Sequence, residues 1–91
     1  MIRTFKHKGL KELFEKGASQ RIHRNQQSKC IQQLDAIDAA ENPSDLNIPG
    51  WRLHKLQGYK NRYSLTITGN FRITFDFKEN DAYILNYEDY H

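Results

Sequence analysis

Between Tyr63 and Phe77 every apolar side chain falls on an odd position: Tyr63, Leu65, Ile67, Phe71, Ile73, Phe75 and Phe77 are separated by Ser64, Thr66, Thr68, Arg72, Thr74 and Asp76. A period of two marks strands with one buried face and one polar face, and Gly69-Asn70 divides the run into the two arms of a hairpin. Both residues tolerate positive φ, so a two-residue turn is expected there. Glu79-Asn80-Asp81 is expected to make the next reversal, with a last strand over Ala82–Tyr87. The odd face must be covered, which leaves Arg72, Thr74 and Asp76 on the opposite, open face.

The cover has to come from the first half of the chain. Ile2–Phe5 reads as a short strand. Leu10, Leu13 and Phe14 then recur at helical spacing until Gly17, and residues 17–20 read as a turn. From Arg21 to Glu41 there is no Gly or Pro, and Ile22, Cys30, Leu34 and Ile37, with Ile31 beside them, predict a helix of roughly five turns. Asn42-Pro43-Ser44-Asp45 ends that helix and carries the cap and first-turn residues of a brief further one. Trp51–Leu56 is expected as a strand, although its alternation is poor. The expected architecture is an α+β sandwich, with N-terminal helices on one face of a small, mostly antiparallel sheet. A chain of 91 residues can bury one core, so residues 1–91 are expected to form a single domain.

Composition narrows the function classes. The single cysteine, Cys30, cannot form an internal disulfide, and no segment approaches the ~18 apolar residues of a membrane span. The N-terminus lacks the apolar run of a secretory signal, so a cytoplasmic location is expected. Net charge is +3, but residues 1–35 hold 8 of the 14 basic and 3 of the 11 acidic side chains, so the first part is basic and the rest acidic. A basic half suits phosphate contacts and equally suits a solvated helix surface.

Chemistry is found by elimination. There is no phosphate-binding glycine loop, and neither His-x-x-x-His nor Cys-x-x-Cys occurs, so no metal or cofactor is expected. His7 and His23 are expected on the surface. His54 lies between Arg52 and Lys55, whose charges favour neutral imidazole, a proton acceptor. His91 follows Glu88 and Asp89 at the end of the chain, where carboxylates favour imidazolium, a proton donor. Two histidines biased in opposite directions form an acid–base pair, although the same facts fit an edge-covering His54 and a frayed His91. The tail Asn86-Tyr87-Glu88-Asp89-Tyr90-His91, rich in proton-handling groups and anchored by Ala82-Tyr83-Ile84-Leu85, favours the pair.

At these residues the sequence resembles the HigB-type toxins, the host-inhibition killer proteins of the RelE/ParE toxin-antitoxin superfamily. The resemblance runs through Ile2–Leu10, Leu34-Asp35-Ala36-Ile37-Asp38-Ala39-Ala40, Arg52-Leu53-His54-Lys55-Leu56, Gly58, Tyr63-Ser64-Leu65, Asn70-Phe71-Arg72-Ile73-Thr74-Phe75 and the final Asp89-Tyr90-His91. It implies a RelE-like, microbial-RNase-type fold and ribosome-dependent, metal-free cleavage of mRNA in the decoding site. His54, Asp89, Tyr90 and His91 match the family's catalytic positions, and Arg72 matches its phosphate-binding arginine. Lys6, Lys8, Arg52, Lys55, Gln57, Lys60 and Arg62 are the implied RNA and ribosome contacts. Gln57 stands where relatives can carry lysine, a contact that Lys55 or Lys60 would then replace.

The same resemblance implies as partners mRNA, the 70S ribosome and a HigA-like helix-turn-helix antitoxin, with operator DNA reached only through the antitoxin complex and no membrane involved. Two rival readings remain at this point. A ParE-like gyrase poison would share the fold without needing His54 or His91. A nonenzymatic nucleic-acid-binding module would use the basic first half and leave RNA uncut.

Overall fold

Directly opposite residues of an antiparallel pair share a face, so the hairpin keeps its odd-numbered apolar residues together only if odd pairs with odd. The computed structural model of the protein, which describes residues 1–89, has this register. Strand β2 (Arg62–Thr66) pairs with β3 (Phe71–Lys78) through Tyr63 opposite Phe75 and Leu65 opposite Ile73, while Ser64 meets Thr74 and Thr66 meets Arg72. This parity corrects the expected two-residue turn. Closing the hairpin over Gly69-Asn70 would set Leu65 opposite Thr74 and mix the faces. Instead the Ile67 and Thr68 N–H groups both donate to the Phe71 carbonyl, Thr68–Asn70 form the loop, and positive φ is found at neither Gly69 nor Asn70. The turn with two positive angles comes one hairpin later, where Glu79 (φ 52°) and Asn80 (φ 68°) connect Lys78 to Asp81 at the start of β4 (Asp81–Asp89).

A short strand, β1 (His54–Lys55), pairs with β2 and completes a four-stranded antiparallel sheet in the order β1-β2-β3-β4. The strand expected over Trp51–Leu56 shrinks to these two residues because Arg52 adopts φ 52° and interrupts the extended run. Ile2–Phe5 contributes two isolated parallel bridges to β4, Ile2 with Ala82 and Phe5 with Leu85, rather than a regular strand. Between those bridges β4 bulges. Its pairing with β3 shifts from Tyr83 opposite Asp76 to Asn86 opposite Thr74, with Ile84 at φ 56°. The bulge lets the Ile84 N–H donate to Thr4 Oγ1 (2.8 Å) and the Leu85 N–H to Thr4 O (3.2 Å), which ties down the N-terminal segment.

Helix α1 (Lys8–Lys16) buries Leu10 and Leu13 and ends at Gly17 (φ 81°), whose N–H returns to Leu13 O. The long helix expected from Arg21 is shorter: a 3₁₀ turn at Arg24–Gln26 precedes α2 (Gln27–Ala39). Between Ile22 and Cys30 no apolar side chain is available to hold another helical turn on the core. The brief helix expected at Asn42 is a 3₁₀ turn, Pro43–Leu46, with Asp45 accepting from the Glu41 and Asn42 N–H groups. Leu10, Leu13, Cys30, Leu34 and Ile37 meet Leu65, Ile73, Phe75, Ala82 and Leu85 in one buried cluster between helices and sheet. Within it, Gln33 Nε2 donates to Thr66 O at 2.9 Å and pins α2 to β2. Burial pushes the Cys30 thiol up to about 12, against a small opposing pull from Lys29, so it is no thiolate nucleophile at neutral pH.

His7, expected as a surface residue, is half-buried and caps α1. Its Nδ1 accepts from the Gly9 N–H at 3.0 Å and the Leu10 N–H at 3.3 Å, bonds that require this nitrogen to be unprotonated. Burial, and then the Arg21 guanidinium, hold the imidazole below its usual pKa. A lowered folded pKa means that the stabilisation is complete above the unfolded value of 6.5 and is lost as pH falls through the folded value. The urea midpoint should therefore drop between about pH 7 and pH 5. In His7→Asn, which keeps a capping acceptor that does not titrate, the drop should be smaller, and an equal drop would contradict the capping role.

Candidate active site on the open sheet face

The face turned away from the helices is polar but not bare. Arg62, Ser64 and Thr74 are buried there, with Thr74 fully enclosed, because long charged side chains lie across the sheet. Arg62 donates through Nη1 to Asp76 Oδ1 (2.9 Å) and through Nη2 to Thr74 Oγ1 (2.9 Å) and the Ile84 carbonyl (3.2 Å). The Thr74 hydroxyl in turn donates a hydrogen bond to Glu88 Oε2 at 2.5 Å, where Asn86 Nδ2 also donates at 3.3 Å. The other carboxylate oxygen, Oε1, pairs with Arg72 Nη2 at 3.5 Å. Burial works against a charged Glu88, but the bond from Thr74 and the Arg72 charge, with Asn86 and Arg62 behind them, outweigh it and hold the carboxyl below its usual range. Glu88 thus faces Arg72 as an anion at neutral pH.

The bulge creates this arrangement. Ahead of it Asp76 pairs with Tyr83; continued unchanged, that register would bring Tyr87 opposite Arg72. With the extra residue Glu88 takes that place and Tyr87 turns to the helix side. There the Tyr87 ring stacks on Phe71 (5.0 Å between centroids), meets the His7 ring edge-on (5.3 Å) and hydrogen-bonds Gln26 through its hydroxyl. Burial raises the Tyr87 phenol, opposed by a hydrogen bond from the His23 backbone.

His54 pairs with Ser64, which pairs in turn with Thr74, so its imidazole belongs to the same face as Arg72. The two side chains line one cavity of about 280 Å³ together with Arg52, Leu53, Ser64 and Thr66. His54 is exposed and Arg72 half-buried, an arrangement open to an incoming strand with its cation held in place. Such a cleft can present a basic imidazole and a guanidinium to one phosphate group.

The remaining expected site residues are placed as follows. Tyr90 and His91 lie outside the described residues. Asp89 pairs with Phe71 rather than with a residue of the open face, and its exposed position at the end of β4 borders a second cavity beside Lys6 and Glu88. Arg62, expected as an RNA contact, is buried in the polar ladder and forms the floor of the face. Lys55 pairs with Tyr63, on the face away from His54. Lys8, Gln57 and Lys60 are exposed and line neither cavity of the open face, whereas Arg52 lines the one that holds His54 and Arg72. Among the described residues no cluster of three or more His, Cys, Asp or Glu side chains could hold a metal ion, and no helix is long and apolar enough to cross a membrane.

The residue that sequence reasoning missed is Glu88, together with its support Thr74. An acidic side chain in an acidic tail looks like surface charge, and register alone reveals its partner. Thr74→Val keeps the shape at a fully buried position while leaving Arg62 and Glu88 each short of one bond. It should cost about 1–3 kcal/mol of unfolding free energy by urea titration, with Thr74→Ser recovering most of it. A Thr74→Val protein as stable as wild type would show that the ladder is dispensable.

Comparison with known proteins fits this fold. A family model for the RelE-like toxin of the type II toxin-antitoxin system HigB matches residues 3–91. The "Endoribonuclease HigB" of Proteus vulgaris is 49% identical over 92 residues, an alignment that takes in all of both chains. The chain therefore belongs to the HigB family of RelE-like type II toxins.

Proposed function

We propose that the chain is an endoribonuclease that cuts mRNA in the decoding site of the translating ribosome and so halts protein synthesis. The observation that carries this reading is the shared cavity: His54 and Arg72, from different strands, open onto one cleft of the polar sheet face. The name of the Proteus vulgaris relative supports it, and the gyrase-poison alternative finds support in neither match.

The reaction needs a base, an acid and a cation. His54 takes the proton of a ribose 2′-hydroxyl, the 2′-oxygen forms a bond to the adjacent phosphorus, and the bond to the 5′-oxygen breaks as that oxygen gains a proton from His91. The product is a cyclic phosphate, or its hydrolysis product once water adds. Arg72 neutralises charge building on the non-bridging oxygens, and Glu88 holds the guanidinium from behind. Asp89 orients His91 or the 2′-hydroxyl, and Tyr90 stacks on a base. Each proton-transferring group contributes roughly 10²–10⁴ in rate, so orientation must supply more, and a ribosome that splays the codon provides it. Arg52, at the mouth of the cleft, replaces the lysine contact that Gln57 cannot make.

A type II toxin has an antitoxin. The partner proposed here is a HigA-like helix-turn-helix protein, in complex with which the toxin reaches operator DNA; the toxin itself acts in the cytoplasm on mRNA bound to 70S ribosomes. On ribosomes programmed with a defined message, His54→Ala and Arg72→Ala should each lower single-turnover cleavage by about 10² or more. Both should still fold, as read by circular dichroism, because neither side chain belongs to the core. Cleavage by either variant at the wild-type rate would remove that residue from the mechanism.

A further inference from the structure

We propose that the second cavity of the open face is a subsite for the nucleotide next to the scissile phosphodiester, its base set against Tyr59 and Ile84 and its phosphate against Lys6. The proposal rests on the nuclease reading above, which sets the scissile phosphate in the His54–Arg72 cleft. The cavity measures about 630 Å³ and shares the sheet face with that cleft. Asp76, on its wall, lies four residues along β3 from Arg72, about 13 Å at the rise of a strand, within reach of the next nucleotide or two of an extended RNA.

Three features suit a nucleotide. Two large apolar side chains lie open to solvent in it, Tyr59 at 60% and Ile84 at 43% exposure, and a flat aromatic ring beside an aliphatic wall is what an unstacked base prefers. Lys6, which also lines the cavity, supplies a cation for phosphate. Two of the three carboxylates that line it are ion-paired, Asp76 with Arg62 at 2.9 Å and Glu88 with Arg72 at 3.5 Å, so the cavity repels a polyanion less than its composition would suggest, with the exposed Asp89 as the third.

The fourth feature is strain. Ile84 occupies φ 56°, a conformation that β-branched residues avoid. The bulge needs that backbone: its N–H bonds Thr4 and its carbonyl accepts from Arg62. It does not need isoleucine, since Gly or Asn would make the same bonds with less strain. Nor is the side chain part of the buried core. A strained, exposed isoleucine lining the same cavity as an exposed tyrosine makes sense if something apolar and flat enters it.

The test is a nuclear magnetic resonance titration of the whole chain with an RNA trinucleotide made uncleavable by a 2′-deoxy substitution at the middle position. Stacking should shift the Ile84 methyl resonances and the Tyr59 ring signals together with those of His54. Tyr59→Ala should abolish the Ile84 shift and weaken binding roughly tenfold, while Tyr59→Phe retains both. Ile84→Gly should weaken binding without lowering the melting temperature, which separates lost contact from lost fold. Shifts confined to His54 and its cleft, with Tyr59→Ala binding as wild type does, would overturn the subsite and leave the nuclease reading intact. A titration that moves neither cavity at millimolar RNA would count against both.

Discussion

Pairing Tyr63 with Phe75 and Leu65 with Ile73 is the constraint on which the molecule depends. Because side chains alternate along a strand, this one choice of register sends the apolar set of both strands toward α1 and α2 and leaves Arg62, Ser64, Thr66, Arg72, Thr74 and Asp76 on the other side. A slip of one residue would put Leu65 in water and Thr74 in the core. The three-residue loop at Thr68–Asn70 is a consequence of that parity, not an independent feature, whereas the tight turn at Glu79-Asn80 belongs to the separate β3–β4 register.

A face assembled this way has a physical problem: it gathers two arginines and two carboxylates on a small area. The solution is a ladder in which each group has its charge or hydrogen-bonding capacity met by the next, from Asp76 through Arg62 and Thr74 to Glu88 and Arg72. Thr74 sits at its middle as acceptor from one neighbour and donor to the other. Such a network fixes side chains that would otherwise be mobile, and fixed charges stabilise a transition state without reorganising during the reaction. The ladder links stability with chemistry: what keeps Thr74 and Arg62 satisfied also aims Arg72.

Much of this was legible in the sequence, for identifiable reasons. Strict alternation over Tyr63–Phe77, the helical spacing of Leu10, Leu13 and Phe14 and the stop at Gly17 are local signals that the structure keeps, whereas the equally local two-residue turn at Gly69-Asn70 gives way to the register of the strands it joins. His54 stands out by elimination among the histidines and Arg72 by its place on the open face, the family resemblance matches both to catalytic positions, and their convergence on one face follows from their registers. What was hidden depends on long-range geometry. The bulge at Ile84 adds one residue to β4 and thereby exchanges Tyr87 and Glu88 between the faces, which no periodicity in that segment announces. His7 looked like a surface histidine because imidazole is an uncommon cap, and Arg62 looked like an RNA contact because its burial is decided by Thr74 and Asp76 across the sheet.

The central claim is that His54 and Arg72 act on one phosphodiester, and a double-mutant cycle in single-turnover mRNA cleavage on programmed ribosomes tests it most directly. If the two side chains serve the same transition state as a unit, the double variant His54→Ala/Arg72→Ala should lose far less than the product of the two single losses. Losses that multiply in full would mean that the two residues work independently, and the cleft between them would not be where the bond is broken.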